Sequence, residues 1–384
     1  MSGIFEELGV RPVLNAQGNR TLLGGSTPSA SVRALMEEAE DYYVHMGDLM
    51  DTVGQRIAEM LGVEAALVTS GCSAALAVGA AACMTGSDPE KIDRIPDVTG
   101  MPHEFIIQRQ LRIKYDRCMT IPGGKLVTVG DLEETRPEHI EEAIGPNTAA
   151  IHYLAPGNRL PGALPLDEVI KLAHSHNLPV VVDAAGEVYP TDKLSRYVDM
   201  GADLVAYGAK YFGAVNSSGI LTGKKELVEA ARSHSFIGFE ATQASSFGRP
   251  MKVDRQEVIA VYAALREWLT TDHESRFASY EARISELRAD LEGIPHVRLS
   301  TFPEQGAPEG LAVNLDAEKL GKTAAQVADE LRAGNPSIWV RAPAGGGPDD
   351  YPPGQEYFIV RMPTLKAGGE KVIAERLKQI LAGR

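Results

Sequence analysis

The sequence predicts an α/β fold, with a large domain built on a mostly parallel sheet and a smaller α+β domain at the C-terminal end. Three observations support this prediction. Short apolar runs alternate with helical patterns over the first two thirds of the chain, which is typical of βαβ units. The chain has 384 residues, more than one compact domain usually holds. A second set of strand and helix patterns follows a long, mostly helical stretch at residues 252–293.

The elements of the large domain can be assigned in chain order. Residues 1–30 are rich in glycine and polar side chains, and they predict an N-terminal arm and loop. Residues 31–60 have a helical pattern, and the small-residue segment 71–86 predicts a helix directly after the short strand "AALVTS". Further buried strands are predicted at six apolar runs: "EFIIQ", "KLVTVG", "TAAIHYL", "LPVVVD", "ADLVAYG" and "GILTG".

The smaller domain is predicted from the C-terminal third of the chain. There the strand and helix patterns are those of an α+β domain: "LAVNLD", "AAQVADELRAG", "SIWVRAP", "EYFIVR" and "GGEKVIAERLKQILAG". We therefore place the N-terminal arm and loop at 1–30 and the large α/β domain at 31–250. A connecting helix and the small domain occupy 251–384.

Composition argues against several classes of function. The formal net charge of −14 disfavours a nucleic-acid partner or an anionic membrane, since both are negatively charged. The N-terminal residues lack the basic flank and apolar run of a signal peptide, and no stretch approaches the roughly 20 apolar residues of a membrane span. The three cysteines cannot all pair and lack metal-ligand spacing, so we predict no metal site and a reducing, cytoplasmic location.

Ser70, Gly71, Cys72 and Ser73 stand where a predicted strand meets a predicted helix. The free N–H groups and the dipole of a helix start favour an anion such as phosphate, and glycine lets the ligand come close. An ordinary helix cap before a tightly packed helix explains the same residues. Taken alone, this motif leaves both interpretations open.

Asp183 ends the apolar run "VVVD", at the carboxyl edge where open α/β sheets bind their ligands. An unpaired buried carboxylate is unfavourable, so Asp183 requires a cationic or hydrogen-bonding partner. A protonated pyridine nitrogen, as in pyridoxal 5′-phosphate (PLP), is one such partner. A helix cap or a salt bridge to an arginine is the alternative.

Lys210 follows another predicted strand and lies among small residues. A lysine in a mostly apolar site can serve as a Schiff-base nucleophile, although most lysines are solvated surface residues. The order of the three motifs is more specific than any one of them: a helix start for phosphate, then an acid for the pyridine nitrogen, then an amine for the imine. This order predicts bound PLP, with Lys210 and Asp183 at the same edge of the sheet.

The sequence resembles the selenocysteine-synthase-like family of fold-type I PLP-dependent enzymes, which includes the D-glucosaminate-6-phosphate ammonia-lyases. The resemblance extends over most of the chain, in the segments "LNAQGNRTLLGGS", "VTSGCSAALAVGAAACMTG", "KYDRCMTIPGGKLVTVGD", "LPLDEVIKLAH", "VVVDAAGEV", "YGAKYFGAVNSSG" and "GRPMKVDRQEVIAVYAAL". It implies a PLP-dependent transferase-like fold with Lys210 as the catalytic lysine. It also implies Asp183 as the partner of the ring nitrogen and residues 70–73 as the phosphate turn.

Two departures from the family pattern affect the expected site. Tyr207 stands three residues before the lysine, where relatives commonly have a serine, so one hydroxyl for the phosphate is altered. Leu111 stands where relatives often have a histidine, which leaves the residue that stacks on the PLP ring unassigned. His103 and Gln110 are the alternatives for that position.

An amino-acid substrate needs a cation for its carboxylate, and arginine is the usual residue. Arg361, in "VRMPTL", and Arg341, in "SIWVRAP", are the candidates, with a surface role at a sheet edge as the alternative for each. Asn15 and Ser26, in the polar N-terminal loop, are further substrate-binding candidates, although a structural turn explains them equally well. His152 is interpreted as a structural histidine, with a position facing the cofactor as the alternative.

The resemblance implies a PLP-dependent lyase of the ammonia-lyase type. Such an enzyme removes the α-proton of an amino acid or amino sugar acid, with Lys210 as the base, expels a β-substituent and releases ammonia. β-Replacement by a transferase, racemisation and aldol cleavage use the same carbanion and remain alternatives, as does a non-catalytic protein that has kept the fold. A homo-oligomer is expected, because fold-type I sites are completed across a subunit interface, and Arg249 and Lys252 in "GRPMK" are secondary candidates there.

Overall fold

The computed structural model describes residues 3–157, 160–342 and 356–381. The strands in these ranges are β1 (Val13–Ala16), β2 (Ala65–Thr69), β3 (Glu104–Gln108), β4 (Lys125–Val129), β5 (Thr148–Leu154), β6 (Val180–Asp183), β7 (Leu204–Gly208), β8 (Gly219–Gly223), β9 (Val297–Phe302), β10 (Gly310–Leu315), β11 (Ser337–Val340) and β12 (Tyr357–Arg361). The helices are α1 (Ile4–Glu7), α2 (Ala30–Glu40), α3 (Met46–Leu61), α4 (Cys72–Thr85), α5 (Pro89–Arg94), α6 (Pro137–Glu141), α7 (Leu166–Ser175), α8 (Lys193–Asp199), α9 (Lys225–His234), α10 (Phe236–Ala241), α11 (Arg255–Thr270), α12 (His273–Leu291), α13 (Ala317–Leu320), α14 (Ala324–Ala333) and α15 (Gly369–Leu381). Short 3₁₀ turns lie at Thr21–Leu23, Arg109–Leu111, Lys114–Thr120 and Ala209–Phe212.

The large sheet has seven strands in the order β2-β8-β7-β6-β5-β3-β4. Strand β8 runs antiparallel to both of its neighbours, and the other pairings of this sheet are parallel. All seven apolar runs assigned to the large domain form its strands, so the predicted large, mostly parallel α/β domain is confirmed. The parallel arrangement brings the carboxyl ends of β3, β5, β6 and β7 to one edge.

The central strands are buried on both faces, as is usual in parallel sheets. Every residue of β6 and β7 is buried, which explains their unbroken apolar sequences. Helix α4 packs against β5, β6, β7 and β8, and its many alanines let it lie close to the sheet. A Cβ atom at Gly79 of this helix would stand 3.3 Å from a methyl group of Leu204, so even one added carbon would crowd the strand.

Contacts divide the chain into two compact units, Ser26–Thr270 (the large unit) and Met1–Gly25 together with Thr271–Arg384 (the C-terminal unit). This division differs from the expected boundaries at 30 and 250. Helix α11 packs on α2 and α3 and so belongs to the large unit. Strand β1 pairs with β11, which brings the N-terminal segment into the C-terminal unit. Both contacts join residues that are far apart in the chain, so no local sequence pattern predicts them.

The C-terminal unit has a core of its own. Strands β12, β10 and β9 form an antiparallel sheet in that order, and β1 and β11 form a parallel pair. Helix α12 packs on β10, α14 packs on β11, and α15 contacts both helices. Leu311, Val313, Phe358 and Val360 are fully buried between them. The predicted smaller α+β domain is therefore present.

Two kinds of structure are absent from the described ranges. No helix there combines the length and the apolar character that crossing a bilayer requires. In the same ranges, no group of three or more His, Cys, Asp or Glu side chains is arranged to hold a metal ion. Cys72, Cys83 and Cys118 are free thiols.

Candidate active site

The carboxyl edge of the large sheet carries both Asp183 and Lys210. Asp183 is the last residue of β6, and its Cα pairs with that of Ala206 in the neighbouring strand β7. Strand β7 ends at Gly208, and Lys210 lies in the 3₁₀ turn that follows. Paired strands lie about 4.8 Å apart. The acid and the amine therefore leave the same edge of the sheet on adjacent strands.

Asp183 is a buried acid with defined hydrogen-bond donors. The residue is 4% exposed. Its Oδ1 accepts the backbone N–H of Ala185 at 3.1 Å and the thiol of Cys72 at 3.5 Å. Burial, together with the negative charge of Asp183, raises the pKa of Cys72 well above its usual value, and the positive charge of Lys210 opposes this shift. The thiol therefore stays protonated and donates to a carboxylate that suits a cationic ring nitrogen.

His152 lies on β5, the strand beside β6, and is 2% exposed. Its Nδ1 is 3.2 Å from the carbonyl oxygen of Val181. Because a carbonyl only accepts, Nδ1 carries the proton and donates it. Burial lowers the pKa of His152, and the negative charges of Asp183 and Asp116 act in the opposite direction. His152 is thus a buried, neutral histidine within electrostatic range of Asp183, and its structural role stays a prediction.

Backbone and ring contacts define the turn that carries Lys210. The N–H of Gly208 donates to the carbonyl of Ala185 at 2.9 Å, which ties the end of β7 to the loop after Asp183. Lys210 is half-buried, and its Nζ lies 5.2 Å from the centroid of the Tyr211 ring. A Cβ atom at Gly208 would stand 3.2 Å from that ring, so a side chain at this position would crowd it. The turn that carries Lys210 is therefore held by the hydrogen bond at Gly208 and by the neighbouring Tyr211 ring.

The start of helix α4 forms an open backbone turn. Gly71 precedes the helix with φ +87°, a conformation that favours glycine, and among the described residues no side chain caps the helix. The first intrahelical bond runs from the N–H of Ala75 to the carbonyl of Gly71 at 3.1 Å, so earlier N–H groups point out of the helix. A Cβ atom at Gly219 would stand 2.7 Å from the backbone nitrogen of Cys72. Glycine at 219 therefore lets β8 pass close to a turn that suits a phosphate.

These groups fit PLP. The turn at residues 70–73 offers backbone N–H groups to a phosphate, although the N–H of Gly71 itself donates to the carbonyl of Thr69 at 2.9 Å. Asp183 offers a carboxylate to the ring nitrogen, and Lys210 offers an amine for an imine. All three belong to the large unit Ser26–Thr270. The thiol of Cys72 is within range of the charges of both Asp183 and Lys210, which connects the phosphate turn to the other two groups.

Comparisons with known proteins agree with this geometry. The profile of the aminotransferase class-V family matches residues 29–335. The chain belongs to this family. One relative, a 5′-C-glycyluridine monooxygenase-decarboxylase from Streptomyces sp, is 33% identical over 98% of this chain and 92% of its own length. Another, the D-glucosaminate-6-phosphate ammonia lyase of Salmonella typhimurium, is 28% identical over 98% of this chain and 97% of its own length.

A solved structure supports the same placement within the aminotransferase class-V family. The structure of a D-glucosaminate-6-phosphate ammonia-lyase superposes with a TM-score of 0.84 and 26% sequence identity, covering 100% of this chain and 99% of the other. The resemblance inferred from the sequence motifs is confirmed. The protein is a fold-type I, PLP-dependent enzyme.

The two departures from the family pattern are core residues in this aminotransferase class-V enzyme. Tyr207 is fully buried and its hydroxyl donates to the carbonyl of Lys193 at 2.8 Å. Burial raises the pKa of Tyr207 well above its usual value, so the hydroxyl stays protonated. Leu111 is also fully buried, in the core of the large unit. Both side chains are packed in the core of the large unit, where they are shielded from solvent.

The two alternatives to Leu111 are engaged in loop contacts. Nδ1 of His103 lies 2.8 Å from the carbonyl oxygen of Met101. Gln110 accepts the hydroxyl of Thr135 at 2.8 Å and donates to the carbonyl of Gly162 at 3.3 Å. These bonds tie both side chains to neighbouring loops. A role in stacking on the ring remains a prediction for either residue.

Three further candidates lie in the large unit, and two of them have structural partners. The hydroxyl of Ser26 donates to the carbonyl of Ala214, close after the lysine turn. Arg249 pairs with Glu240 at 2.5 Å and its guanidinium lies 5.9 Å from the centroid of the Phe239 ring. Lys252 is exposed. Ser26 thus supports the loop that follows Lys210, and the roles of Arg249 and Lys252 at an interface stay predictions.

The remaining substrate-binding candidates lie in the C-terminal unit. Asn15 closes a local turn, in which its Oδ1 accepts the N–H of Gln17 at 2.9 Å. Arg361 forms an ion pair with Glu309 and lies against Gly18, where an added Cβ would stand 3.2 Å from Nη1. Arg341, after β11, forms an isolated bridge with a residue of β12. These contacts support a structural role for Asn15, Arg361 and Arg341. Substrate binding by these residues remains a prediction.

Sequence reasoning missed an ion pair at the edge of the large sheet. Nε of Arg112 pairs with Asp116, which is 2% exposed, and Nη1 donates to the hydroxyl of Thr128 in β4. These two bonds hold the guanidinium in place, and the Arg112 side chain is 34% exposed. An arginine and an acid four residues apart after a predicted strand would have been the signal. The same spacing is common in surface helices, which is why it does not stand out.

Proposed function

We propose that this enzyme releases ammonia from a β-hydroxy amino acid, of which an amino sugar acid is the favoured class, and produces a 2-keto acid. The placement of Asp183 and Lys210 on adjacent strand ends, beside an open helix start, carries this proposal. In the net reaction the α-carbon loses a proton and the β-carbon loses its hydroxyl as water. Water then replaces the nitrogen, which leaves as ammonia, so no oxidant or reductant is consumed.

Each group has a distinct role in the proposed reaction. Bound PLP supplies an electron sink for the bonds at the substrate α-carbon. Asp183 keeps a proton at the ring nitrogen, since a buried carboxylate stabilises an adjacent cation. Lys210 would take the α-proton of the substrate, and the backbone N–H groups of the turn at residues 70–73 would hold the phosphate. His152, on the neighbouring strand, is within electrostatic range of Asp183.

Replacing the lysine tests the proposal directly. In Lys210→Ala we expect ammonia release to fall by at least about 10³-fold, because the imine-forming amine and the base are removed together. The measurement is ammonia and keto acid formed from a panel of amino acids and amino sugar acids of both configurations. Lys171→Ala is the control, since Lys171 is 77% exposed on α7 and pairs with a neighbouring acid in an i,i+4 contact. Full activity of Lys210→Ala would refute the assignment of Lys210.

A second candidate function follows from one comparison. A relative with 33% identity is named a 5′-C-glycyluridine monooxygenase-decarboxylase, which describes a reaction that uses oxygen and releases carbon dioxide. The same PLP-binding groups can labilise the carboxylate of an amino acid in place of the α-proton. Oxygen uptake and carbon dioxide release, recorded with the same substrate panel, distinguish this function from the non-oxidative release of ammonia. Added thiols test for β-replacement, and loss of optical activity tests for racemisation.

We also propose that the enzyme is a homo-oligomer located in the cytoplasm. Free cysteines and an acidic composition support a reducing, cytoplasmic setting. Light scattering coupled to gel filtration measures the number of subunits. A monomer at micromolar concentration would contradict the oligomer.

A further inference from the structure

We propose that Cys72 is a positioning residue for the cofactor ring, and that its thiol holds the carboxylate of Asp183 in the orientation that pairs with the ring nitrogen. The family resemblance predicts Cys72 only as part of the phosphate turn. The inference rests on the proposed function in one respect, the pairing of Asp183 with the ring nitrogen. It does not depend on which substrate the enzyme accepts.

The thiol of Cys72 joins the start of helix α4 to the end of strand β6. Its Sγ lies 3.5 Å from Oδ1 of Asp183, in a contact between residues 111 positions apart. The same oxygen accepts the backbone N–H of Ala185 at 3.1 Å. The terminal torsion of an aspartate is otherwise broad. Two donors from separate parts of the chain therefore restrict rotation of the carboxyl group and preorganise it for a partner.

The thiol of Cys72 acts as a neutral donor. Burial raises the pKa of Cys72 well above its usual value, the charge of Asp183 acts in the same direction, and the charge of Lys210 opposes both. A protonated thiol donates a weak hydrogen bond, whereas a thiolate would repel the carboxylate. The same protonation argues against Cys72 as a nucleophile. Cys72 therefore holds Asp183 in place without neutralising it, so its negative charge stays available to a cationic ring nitrogen.

The backbone and the side chain of Cys72 have different expected partners. Cys72 is the first residue of α4 and directly follows Gly71. Backbone N–H groups at a helix start favour a phosphate, and a change of side chain leaves them in place. The thiol contacts Asp183 instead. Alanine is also the best helix former, so Cys72→Ala tests the contact with Asp183 without weakening α4.

The other two cysteines provide matched controls. Cys118 is 7% exposed and lies within electrostatic range of Asp183, but its side chain bonds to Ser73. Cys83 is a half-buried thiol on α4, where burial and the charge of Asp203 raise its pKa. Comparing the three cysteines separates the hydrogen bond to Asp183 from the mere presence of a thiol near the site.

The experiment compares two cofactors that differ only at the ring nitrogen. The affinity of the full chain, freed of cofactor, is measured for PLP and for 1-deazapyridoxal 5′-phosphate, in which a carbon replaces that nitrogen. We expect the wild type to prefer PLP by about tenfold to hundredfold, as for a hydrogen bond between charged groups. In Cys72→Ala this preference should fall by about threefold to tenfold, because one weak donor is lost. Effects on phosphate binding cancel, since both compounds carry the phosphate.

Further variants show whether the thiol acts through Asp183. Cys72→Ser keeps a donor and should retain most of the preference for PLP. In Asp183→Asn the preference should already be small, and adding Cys72→Ala should lower it no further, as expected for residues that act as a unit. Cys83→Ala and Cys118→Ala should keep the wild-type preference, even though a smaller side chain at the buried position 118 lowers the melting temperature.

Several outcomes would overturn the role of Cys72. These are an unchanged or larger preference for PLP in Cys72→Ala, an equal loss of affinity for both cofactors, and a serine variant that behaves as alanine does. A wild type without any preference would refute the pairing of Asp183 with the ring nitrogen, and this proposal with it. A full wild-type preference that Cys72→Ala reduces, in an enzyme that releases no ammonia, would refute the proposed reaction alone and leave the role of Cys72 standing.

Discussion

At the scale of single residues, the buried carboxylate of Asp183 determines what the site can hold. Its Oδ1 accepts an N–H from Ala185 and a thiol proton from Cys72, and both donors are neutral. The residue was recognisable in the sequence because an acid closes an otherwise apolar strand. The Cys72 contact was not, since it joins residues 111 positions apart.

Replacing the acid by its isosteric amide tests the role of its charge. In Asp183→Asn the side-chain oxygen can still accept from Ala185 and Cys72, but it cannot stabilise a protonated ring nitrogen. We expect turnover to fall on the order of 10²-fold, the cost of removing one preorganised electrostatic partner. Visible absorbance should show that PLP is still bound, because Lys210 is unchanged. Asp192→Asn, an exposed acid on the same unit, should keep full turnover, and equal rates in both variants would contradict the assigned role.

At the scale of elements, helices α4 and α9 meet at a buried histidine. His234 at the end of α9 is fully buried, and its Nε2 lies 2.7 Å from the hydroxyl of Thr85 at the end of α4. Burial lowers the pKa of His234 to about 4. Because α4 also begins at the predicted phosphate turn, this contact supports the helix whose first N–H groups are proposed to bind the cofactor phosphate.

The lowered pKa predicts a loss of stability in mild acid. Unfolded histidine takes up a proton below about pH 6.5, whereas His234 in the folded protein stays neutral until the pH approaches its lowered pKa. The unfolded state therefore binds more protons between these values, and the free energy of unfolding falls as pH falls. We expect His234 to account for about 2 kcal/mol of the loss between pH 6.5 and 5.

Denaturant unfolding at several pH values measures this loss. His234→Gln should be less sensitive to pH by that amount, because glutamine does not titrate. His176→Gln, at the exposed end of α7, should retain the wild-type pH dependence. Identical pH profiles for the wild type and His234→Gln would show that His234 does not contribute.

At the scale of the whole molecule, the chain builds two cores from non-contiguous sequence. The large unit comprises Ser26–Thr270, and the C-terminal unit combines the first 25 residues with Thr271–Arg384. The residues predicted to bind PLP lie in the large unit, while β1 contributes its residues to the other core. A substitution that destabilises β1 should therefore also destabilise strands of the C-terminal unit that lie far from β1 in the sequence.

A charge placed in β1 tests this division. Ala16 is fully buried in the core of the C-terminal unit, so Ala16→Asp should destabilise that unit by about 3 kcal/mol or more. Hydrogen exchange should accelerate in β9, β10, β11 and β12 before it changes in β5, β6 and β7. Val13→Asp in the same strand is the control, because Val13 is 39% exposed. Equal acceleration in both units would show that they unfold as one.

Local sequence patterns alone determined the large parallel sheet, the smaller α+β domain and the positions of Asp183 and Lys210. Strand burial produces unbroken apolar runs, and the carboxyl ends of parallel strands meet at one edge whatever the connections are. Motif order then identified the cofactor, since phosphate turn, acid and lysine follow one another in a characteristic sequence.

Only the tertiary structure decided the contacts between distant residues. The pairing of β1 with β11, the burial of Tyr207 and Leu111, and the ion pair that orients Arg112 depend on side chains brought together by folding. A periodic pattern reports which face of an element is buried, but not which residue lies against that face. For that physical reason the acid and the lysine could be found from the sequence, whereas the partners that hold Asp183 and Arg112 could not.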